Sequence, residues 1–218
     1  MPERAVILVN GVVEQPEQIA RRLAGWGDAL VVAADRGSHH AGALGLRPDA
    51  IVGDLDSIGS AERAAFERDG VVFETAPAEK DETDLELALL YALRQGARRM
   101  VCIGALGGRL DMAIANVFLL TLPALAVARV ELWEGEQTAW LIRPPGETIT
   151  GNPGDTLSLI PLGGPARGVT TEALKYPLRG ETLSPGPARG VSNVLLDGDA
   201  RVKLSEGCLL AVHTPGRA

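Results

Sequence analysis

The chain has few residues that could cross-link it. Two cysteines occur in 218 residues, Cys102 and Cys208, in separate apolar stretches and with no Cys-x-x-Cys pair. That argues against structural zinc and a dithiol redox motif, and the two read as buried free thiols in a reducing cytosol. An excess of basic charge is missing as well. Acidic residues outnumber basic ones 28 to 21, a net charge of −7, which argues against general nucleic-acid or anionic-membrane binding. No secretory leader is expected, because Glu3 and Arg4 precede only a short apolar run. The longest uncharged stretch, Met112–Ala128, holds Asn116, Thr121 and Pro123, so it reads as a buried helix followed by a break, not a membrane span. The chain also lacks a Gly-x-x-x-x-Gly-Lys-Ser/Thr loop, a Gly-x-Gly-x-x-Gly fingerprint and a Gly-x-Ser-x-Gly elbow, which withdraws support from P-loop, Rossmann and elbow-nucleophile readings.

What remains is globular. Hydrophobic residues are 46% and charged residues 22% of the chain, and a chain of this length buries roughly 70% of the surface it would expose unfolded. The first half alternates between two periods. Strand-like runs at Ala5–Val9, Ala29–Ala34, Ala50–Val52, Val71–Phe73 and Arg99–Ile103 are separated by helical patterns at Gln15–Ala24, Ala61–Arg68, Asp84–Arg94 and Leu110–Leu120. In the Asp84 helix, Leu85, Ala88, Leu89, Ala92 and Leu93 make one stripe, Thr83 and Glu86 a capping box, and Gly96 the stop. Such alternation predicts a parallel sheet with helices on its faces. From about Arg129 no long helical period recurs. Short β-like runs at Val130–Trp133, Ala139–Ile142, Thr156–Ile160, Val191–Leu196 and Leu209–Val212 lie between Gly- and Pro-rich turns, the rhythm of an antiparallel sandwich or barrel. The expected domains are therefore an α/β unit over 1–126 and an all-β unit over 127–218.

The chemistry gathers where predicted strands end. Asp35 follows the second strand, Asp54 and Asp56 the third, Asp81 and Asp84 the fourth, and Asp111 the fifth. In an open parallel sheet, ligands bind outside the carboxyl ends of the strands, so four strand ends carrying acids define one rim. Asp54 and Asp56, two apart in extended chain, point to one side. At about 4 Å such a pair repels by roughly 4 kcal/mol at an effective dielectric of 20, and a hard divalent cation relieves it. Turn capping explains an isolated Asp equally well, and an acid in the first turn of a helix, as Asp84 is, gains from the dipole alone. Gly107-Gly108 before a helix lets backbone approach a phosphate, and Lys80 and Arg109 are the cations best placed to meet phosphate oxygens. Adjacent His39 and His40 face differently on regular structure, and His213 reads as structural.

The order and spacing of Ala34-Asp35-Arg36-Gly37, Pro48-Asp49 with Gly53-Asp54-Leu55-Asp56-Ser57, Lys80-Asp81-Glu82-Thr83-Asp84-Leu85-Glu86, and Gly107-Gly108-Arg109-Leu110-Asp111 with Asn116 resemble the bacterial thiamin pyrophosphokinase family. Leu174-Lys175-Tyr176-Pro177-Leu178 and Ser192-Asn193 resemble that family's thiamin-side motifs. The resemblance runs from about Ala5 to Val212. It implies an N-terminal α/β domain, a C-terminal β-sandwich, and a cytoplasmic homodimer with sites between subunits. It also implies transfer of a pyrophosphoryl group from ATP to the thiamin hydroxyl, leaving AMP. Carried over by motif, Asp54, Asp56 and Asp84 hold Mg²⁺ and, with Asp111, form the catalytic set. Asp35, Arg36, Lys80, Thr83 and Arg109 attend the nucleotide, and Tyr176, Ser192 and Asn193 meet thiamin from the partner subunit. Two positions depart from the pattern: Met112 stands where the family commonly has His, and Ala173 where Gly usually precedes Leu174. The rival readings are a pyrophosphokinase for another alcohol such as a pterin, a catalytically silent thiamin or nucleotide sensor, and a metallophosphatase.

Overall fold

The computed structural model describes residues 2–55, 58–77, 79 and 81–216. The chain divides into two compact units, Met1–Gly135 and Glu136–Ala218.

The first unit holds strands β1 (Arg4–Leu8), β2 (Leu30–Ala34), β3 (Ala50–Gly53), β4 (Val72–Thr75), β5 (Arg99–Ile103) and β6 (Arg129–Glu134), and helices α1 (Pro16–Ala24), α2 (Ser60–Arg68), α3 (Asp84–Arg94) and α4 (Leu110–Leu119). Its strands lie in the order β6-β5-β1-β2-β3-β4, and every pairing is parallel. Four of the five apolar runs read as strands are buried at Ala5–Leu8, Val31–Ala34, Ala50–Val52 and Met100–Ile103, while the fifth, Val71–Phe73, reaches the edge strand β4, where Val72 is exposed. Continuous apolar sequence, not alternation, is what a parallel sheet covered on both faces requires. Helix α3 packs over β2 and β3 and buries Leu85, Ala88, Leu89, Tyr91 and Ala92. The Thr83 Oγ1 accepts from Glu86 N at 3.2 Å at its start. At its end Gly96, at φ 97°, lets its own N–H reach Leu93 O at 3.1 Å and the Ala97 N–H reach Ala92 O at 3.0 Å, a complete Schellman stop.

Two sequence expectations change here. Val130–Trp133 belongs to β6, which pairs parallel with β5, so the break falls after Gly135 and not at the expected 126/127. The Met112–Ala128 stretch is not a buried helix. Helix α4 buries only Asn116, while Leu110, Ile114 and Phe118 are 75%, 51% and 48% exposed, and a 3₁₀ turn over Pro123–Val127 follows it.

The second unit is antiparallel throughout. Strands β7 (Gln137–Ile142), β8 (Gly146–Thr150), β9 (Thr156–Pro161), β10 (Ala166–Glu172), β11 (Arg179–Leu183), β12 (Asn193–Val194), β13 (Asp199–Lys203) and β14 (Leu209–Thr214) form two sets, β12-β9-β14-β7 and β11-β10-β13-β8. Trp140, Ile142, Leu157, Leu159, Leu209 and Ala211 of the first set and Ile149, Val169, Leu183, Ala200 and Val202 of the second close one core, which is a sandwich. Strands β8, β10, β11 and β13 escaped the sequence reading because only one face of each is apolar. In Asp199-Ala200-Arg201-Val202-Lys203 every second residue is buried and the rest are charged and exposed. The run Val191–Leu196 contracts to the two-residue β12. Cys102 is buried, as expected, while Cys208 is half-buried with its thiol 3.2 Å from Leu162 O.

Candidate active site

In the first unit β1 is flanked by β5 on one side and β2 on the other, so the chain changes direction of travel across the sheet between β1 and β5. A crevice opens at such a switch point, outside the carboxyl ends of the strands. A cavity of about 370 Å³ lies there, lined by Val9–Val12 after β1, Ala34 and Asp35 at the end of β2, Asp84 and Leu85 at the start of α3, Gly104–Ala105 and Gly107–Arg109 after β5, and Met112 and Asn116 of α4.

Close backbone packing shapes this cavity. Val9 N donates to Ile103 O at 2.8 Å, Gly11 N to Gly104 O at 3.0 Å and Val12 N to Gly107 O at 3.3 Å, so the loops after β1 and β5 run together as a continuation of the strands. A Cβ on Gly11 would stand 2.1 Å from Gly104 O, and one on Gly107 2.2 Å from Val12 O. Asn116, buried on α4, donates from Nδ2 to Ala105 O at 2.8 Å. Its Oδ1 has no hydrogen-bond partner among the described residues. His40 Nε2 meets Gly11 O at 2.8 Å and ties the β1 loop from the other side.

The acids meet this cavity unequally. Asp35 and Asp84 line it together. Gly53, at the end of β3, sits between them: a Cβ there would be 3.1 Å from the Asp35 Cβ and 3.3 Å from Asp84 Oδ1. Two non-glycine residues at these strand ends, Asp35 at φ 46° and Leu55 at φ 62°, hold the left-handed conformation, which costs an ordinary residue about 1–2 kcal/mol. Such strain persists where the surroundings over-determine it, and it concentrates at functional sites. Thr83, whose hydroxyl caps α3, precedes the cavity-lining Asp84, and Asp54, half-buried, follows Gly53 at the end of β3; neither is part of the lining. Nor is Arg36, which is exposed. Asp49 lies at the opposite end of the sheet, where its carboxylate accepts from Val31 N at 2.8 Å. Asp56 and Lys80 lie outside the described residues.

Asp111 is exposed in the first turn of α4, outside the cavity lining. Arg109 grips it through Nε–Oδ1 at 3.1 Å and Nη2–Oδ2 at 2.6 Å. These bonds, with the Met112 N–H next, hold the Asp111 carboxyl below the usual carboxylate range and raise the Arg109 guanidinium in turn. Asp111 is therefore suited to orienting Arg109 and poorly suited to taking up a proton. Asp35, Asp84 and the neighbouring Asp54 offer oxygen donors only, a set that suits a hard divalent cation. Among the described residues no group of three or more His, Cys, Asp or Glu is drawn together as a preformed metal cage.

The thiamin-side residues lie in the second unit. Tyr176 is half exposed. Asn193, 2% exposed, accepts on Oδ1 from Tyr176 N at 2.9 Å and from Val194 N at 3.0 Å, and donates from Nδ2 to Tyr176 O at 2.7 Å. Its amide is thus committed to holding the Tyr176 backbone. Ser192 is exposed at φ 55°, with its N–H on Ser158 Oγ at 3.0 Å. Ala173 lies at φ 58°, in the left-handed region that favours glycine. The lining residues that sequence reasoning missed are those of the β1 loop, Val9–Val12; Asn116 accompanies the Gly107–Asp111 motif in sequence without a role, and the structure places it on the lining. Gly11, placed just past a buried strand, was the signal available for the first.

Known proteins resemble the chain over both units. The family model of the thiamin pyrophosphokinase catalytic domain matches residues 24–131, and that of the thiamin pyrophosphokinase vitamin B1 binding domain matches residues 146–209. Thiamine pyrophosphokinase of Bacillus subtilis (strain 168) is 28% identical over 210 residues, covering 94% of this chain and 98% of that protein. The crystal structure of the Bacillus subtilis thiamine pyrophosphokinase superposes with a TM-score of 0.82 at 25% identity, covering 97% of this chain and 99% of the other. That of the thiamin pyrophosphokinase from Geobacillus thermodenitrificans gives 0.80 at 27% identity, covering 97% of each.

Proposed function

The chain belongs to the thiamin pyrophosphokinase family, and from that premise we infer that it transfers the pyrophosphoryl group of ATP to the hydroxyl of thiamin, forming thiamin diphosphate and AMP. The observation that carries this reading is the match of both halves, in order, to the catalytic and vitamin B1 binding models of one family. The carboxylate-lined crevice at the β1/β5 switch point supports it as the nucleotide site.

In this reading Asp54, Asp56 and Asp84 hold Mg²⁺, which when bound offsets the charge of the carboxylates and of the triphosphate. Asp35, Arg36, Lys80, Thr83 and Arg109 attend ATP. The Thr83 oxygen already accepts from the helix, which leaves its hydroxyl proton for a phosphate oxygen. The Gly107-Gly108 backbone gives phosphate oxygens close approach at the start of α4. Asp111 orients Arg109 towards the developing charge. Tyr176 stacks on the flat cationic thiamin and Ser192 adds a hydroxyl contact, while Asn193 acts by fixing the Tyr176 backbone. Positioning of the alcohol in line with the β-phosphorus and charge neutralisation supply most of the rate.

The enzyme acts in the cytoplasm as a homodimer with its sites at the subunit interface. The exposed apolar stripe Leu110, Ile114 and Phe118 on α4 supports a dimer, since faces of this kind are seldom left to water. No helix among the described residues is long and apolar enough to cross a membrane.

The deciding experiment incubates the purified protein with ATP, Mg²⁺ and thiamin and identifies products by mass. Thiamin diphosphate and AMP in equal amounts are expected, and EDTA should abolish both. ADP in place of AMP, turnover only with a pterin alcohol, or binding without turnover would each replace the reading with one of its rivals.

A further inference from the structure

His213, which reads from sequence as structural, closes a buried polar arrangement of the second unit. Asp155 is 2% exposed. A carboxylate is buried at that depth only when its oxygens are well supplied with donors. Oδ2 accepts from Asn152 N at 2.8 Å and from His213 Nε2 at 2.8 Å, and Oδ1 accepts from Gly216 N at 2.8 Å. Burial works against its charge, but the Gly216 and Asn152 N–H groups and the His213 ring outweigh it and keep the carboxyl below the ordinary range. Gly151 packs against the pair: a Cβ there would lie 2.9 Å from Asp155 Oδ2 and 3.0 Å from His213 Nε2. A turn alone needs only the Asn152 bond. The histidine, from β14, joins the last strand to the Gly151–Asp155 turn.

That turn leads to Tyr176. Leu195 N donates to Asp155 O at 2.9 Å, and Gly154 N to Leu195 O at 2.9 Å. The segment next to Leu195 is β12, paired with Thr156 and Leu157 of β9. Lys175 N then donates to Val194 O at 2.9 Å and Leu196 N to Ala173 O at 3.0 Å, and the Asn193 amide closes on both backbone groups of Tyr176. Each link is short, and one follows directly from the next.

We propose that His213, acting through Asp155, is a positioning residue for the Tyr176 loop and so for thiamin binding. The proposal rests on the reading that Tyr176 meets thiamin. If His213 served only to anchor the end of the chain, its loss would lower the melting temperature and leave the two substrates' KM values in their original ratio.

The test is steady-state kinetics on the full-length H213A, H213N, H213Q and Y176A proteins, each with its melting temperature. Glutamine places an amide N–H where Nε2 stands, while asparagine is too short to reach Asp155. H213A and H213N should raise the thiamin KM about tenfold, the weight of one charge-assisted hydrogen bond, with the ATP KM unchanged. H213Q should recover the wild-type thiamin KM. If H213A does not fold, the comparison of H213N with H213Q decides. An unchanged thiamin KM in H213N, an equal rise in both KM values, or no recovery in H213Q overturns the proposal. Y176A separates the two layers. If it raises the thiamin KM and the His213 variants do not, the positioning role alone fails; if it leaves the thiamin KM unchanged, the placement of thiamin itself fails.

Discussion

Single residues carry two kinds of conflict in this molecule, charge and backbone strain. Asp84 occupies the first helical position of α3, where a carboxylate gains about 0.3–1 kcal/mol from the helix dipole, and it also faces the cavity beside Asp35. The two roles separate on Asp84→Asn. A capping role costs a melting shift of a degree or two with activity intact. A role on the metal and phosphates costs about a hundredfold or more in kcat with little change in stability, and that is the outcome expected from kinetics and thermal melts on one preparation. At Ala173 the conflict is conformational. A φ of 58° costs alanine about 1–2 kcal/mol, and glycine gives back part of that gain through the greater freedom of its unfolded chain. Ala173→Gly should therefore stabilise the protein by about 0.5–1 kcal/mol, roughly 2 °C in a chain of this size, with unchanged kinetics. A lower melting temperature would show that the loop has adapted to the methyl group.

Secondary elements position the site by how closely their ends approach. The loops after β1 and β5 are zipped by backbone bonds, and Gly11 leaves no room for a side chain, since its two nearest neighbours are carbonyl oxygens of Gly104 and Gly107. Backbone cannot turn aside as a side chain can. Gly11→Ala should thus destabilise by about 1–3 kcal/mol and weaken ATP binding, read by calorimetry, more than thiamin binding. The same elements show what could be read in advance. Helix α3 was legible to the residue because stripe, capping box and glycine stop agree. The inner parallel strands β1, β2, β3 and β5 were legible because burial on both faces makes them continuous apolar runs. Helix α4 was legible as a helix but not as an exposed one, because apolar content reports that a surface seeks cover and not what covers it.

At the scale of the whole molecule, the exposed stripe of Leu110, Ile114 and Phe118 bears on assembly. The wild-type protein should sediment at twice the chain mass. The double change Ile114→Arg with Phe118→Arg should bring it to the chain mass with its circular dichroism intact, whereas a wild-type protein that is monomeric at micromolar concentration would dissociate the stripe from any dimer.

The boundary between the units shows where local pattern stops deciding. Arg129–Glu134 has the same strand signal whether it opens a sandwich or closes a parallel sheet, and only its pairing with β5 settles which. By itself the amino-acid order determined the alternation of elements, the family, and the identity of the acids that end the strands, because these depend on period, spacing and residue chemistry along the chain. Tertiary structure alone decided which acids share a cavity, that Asp111 is spent on Arg109, that the β1 loop forms a wall, and that His213 reaches Asp155. The shared cavity, the β1 wall and the His213–Asp155 pair depend on strand order and on distances of about 3 Å between residues far apart in sequence, and the Arg109–Asp111 pair on how two near neighbours turn at the start of α4, none of which one-dimensional periodicity encodes.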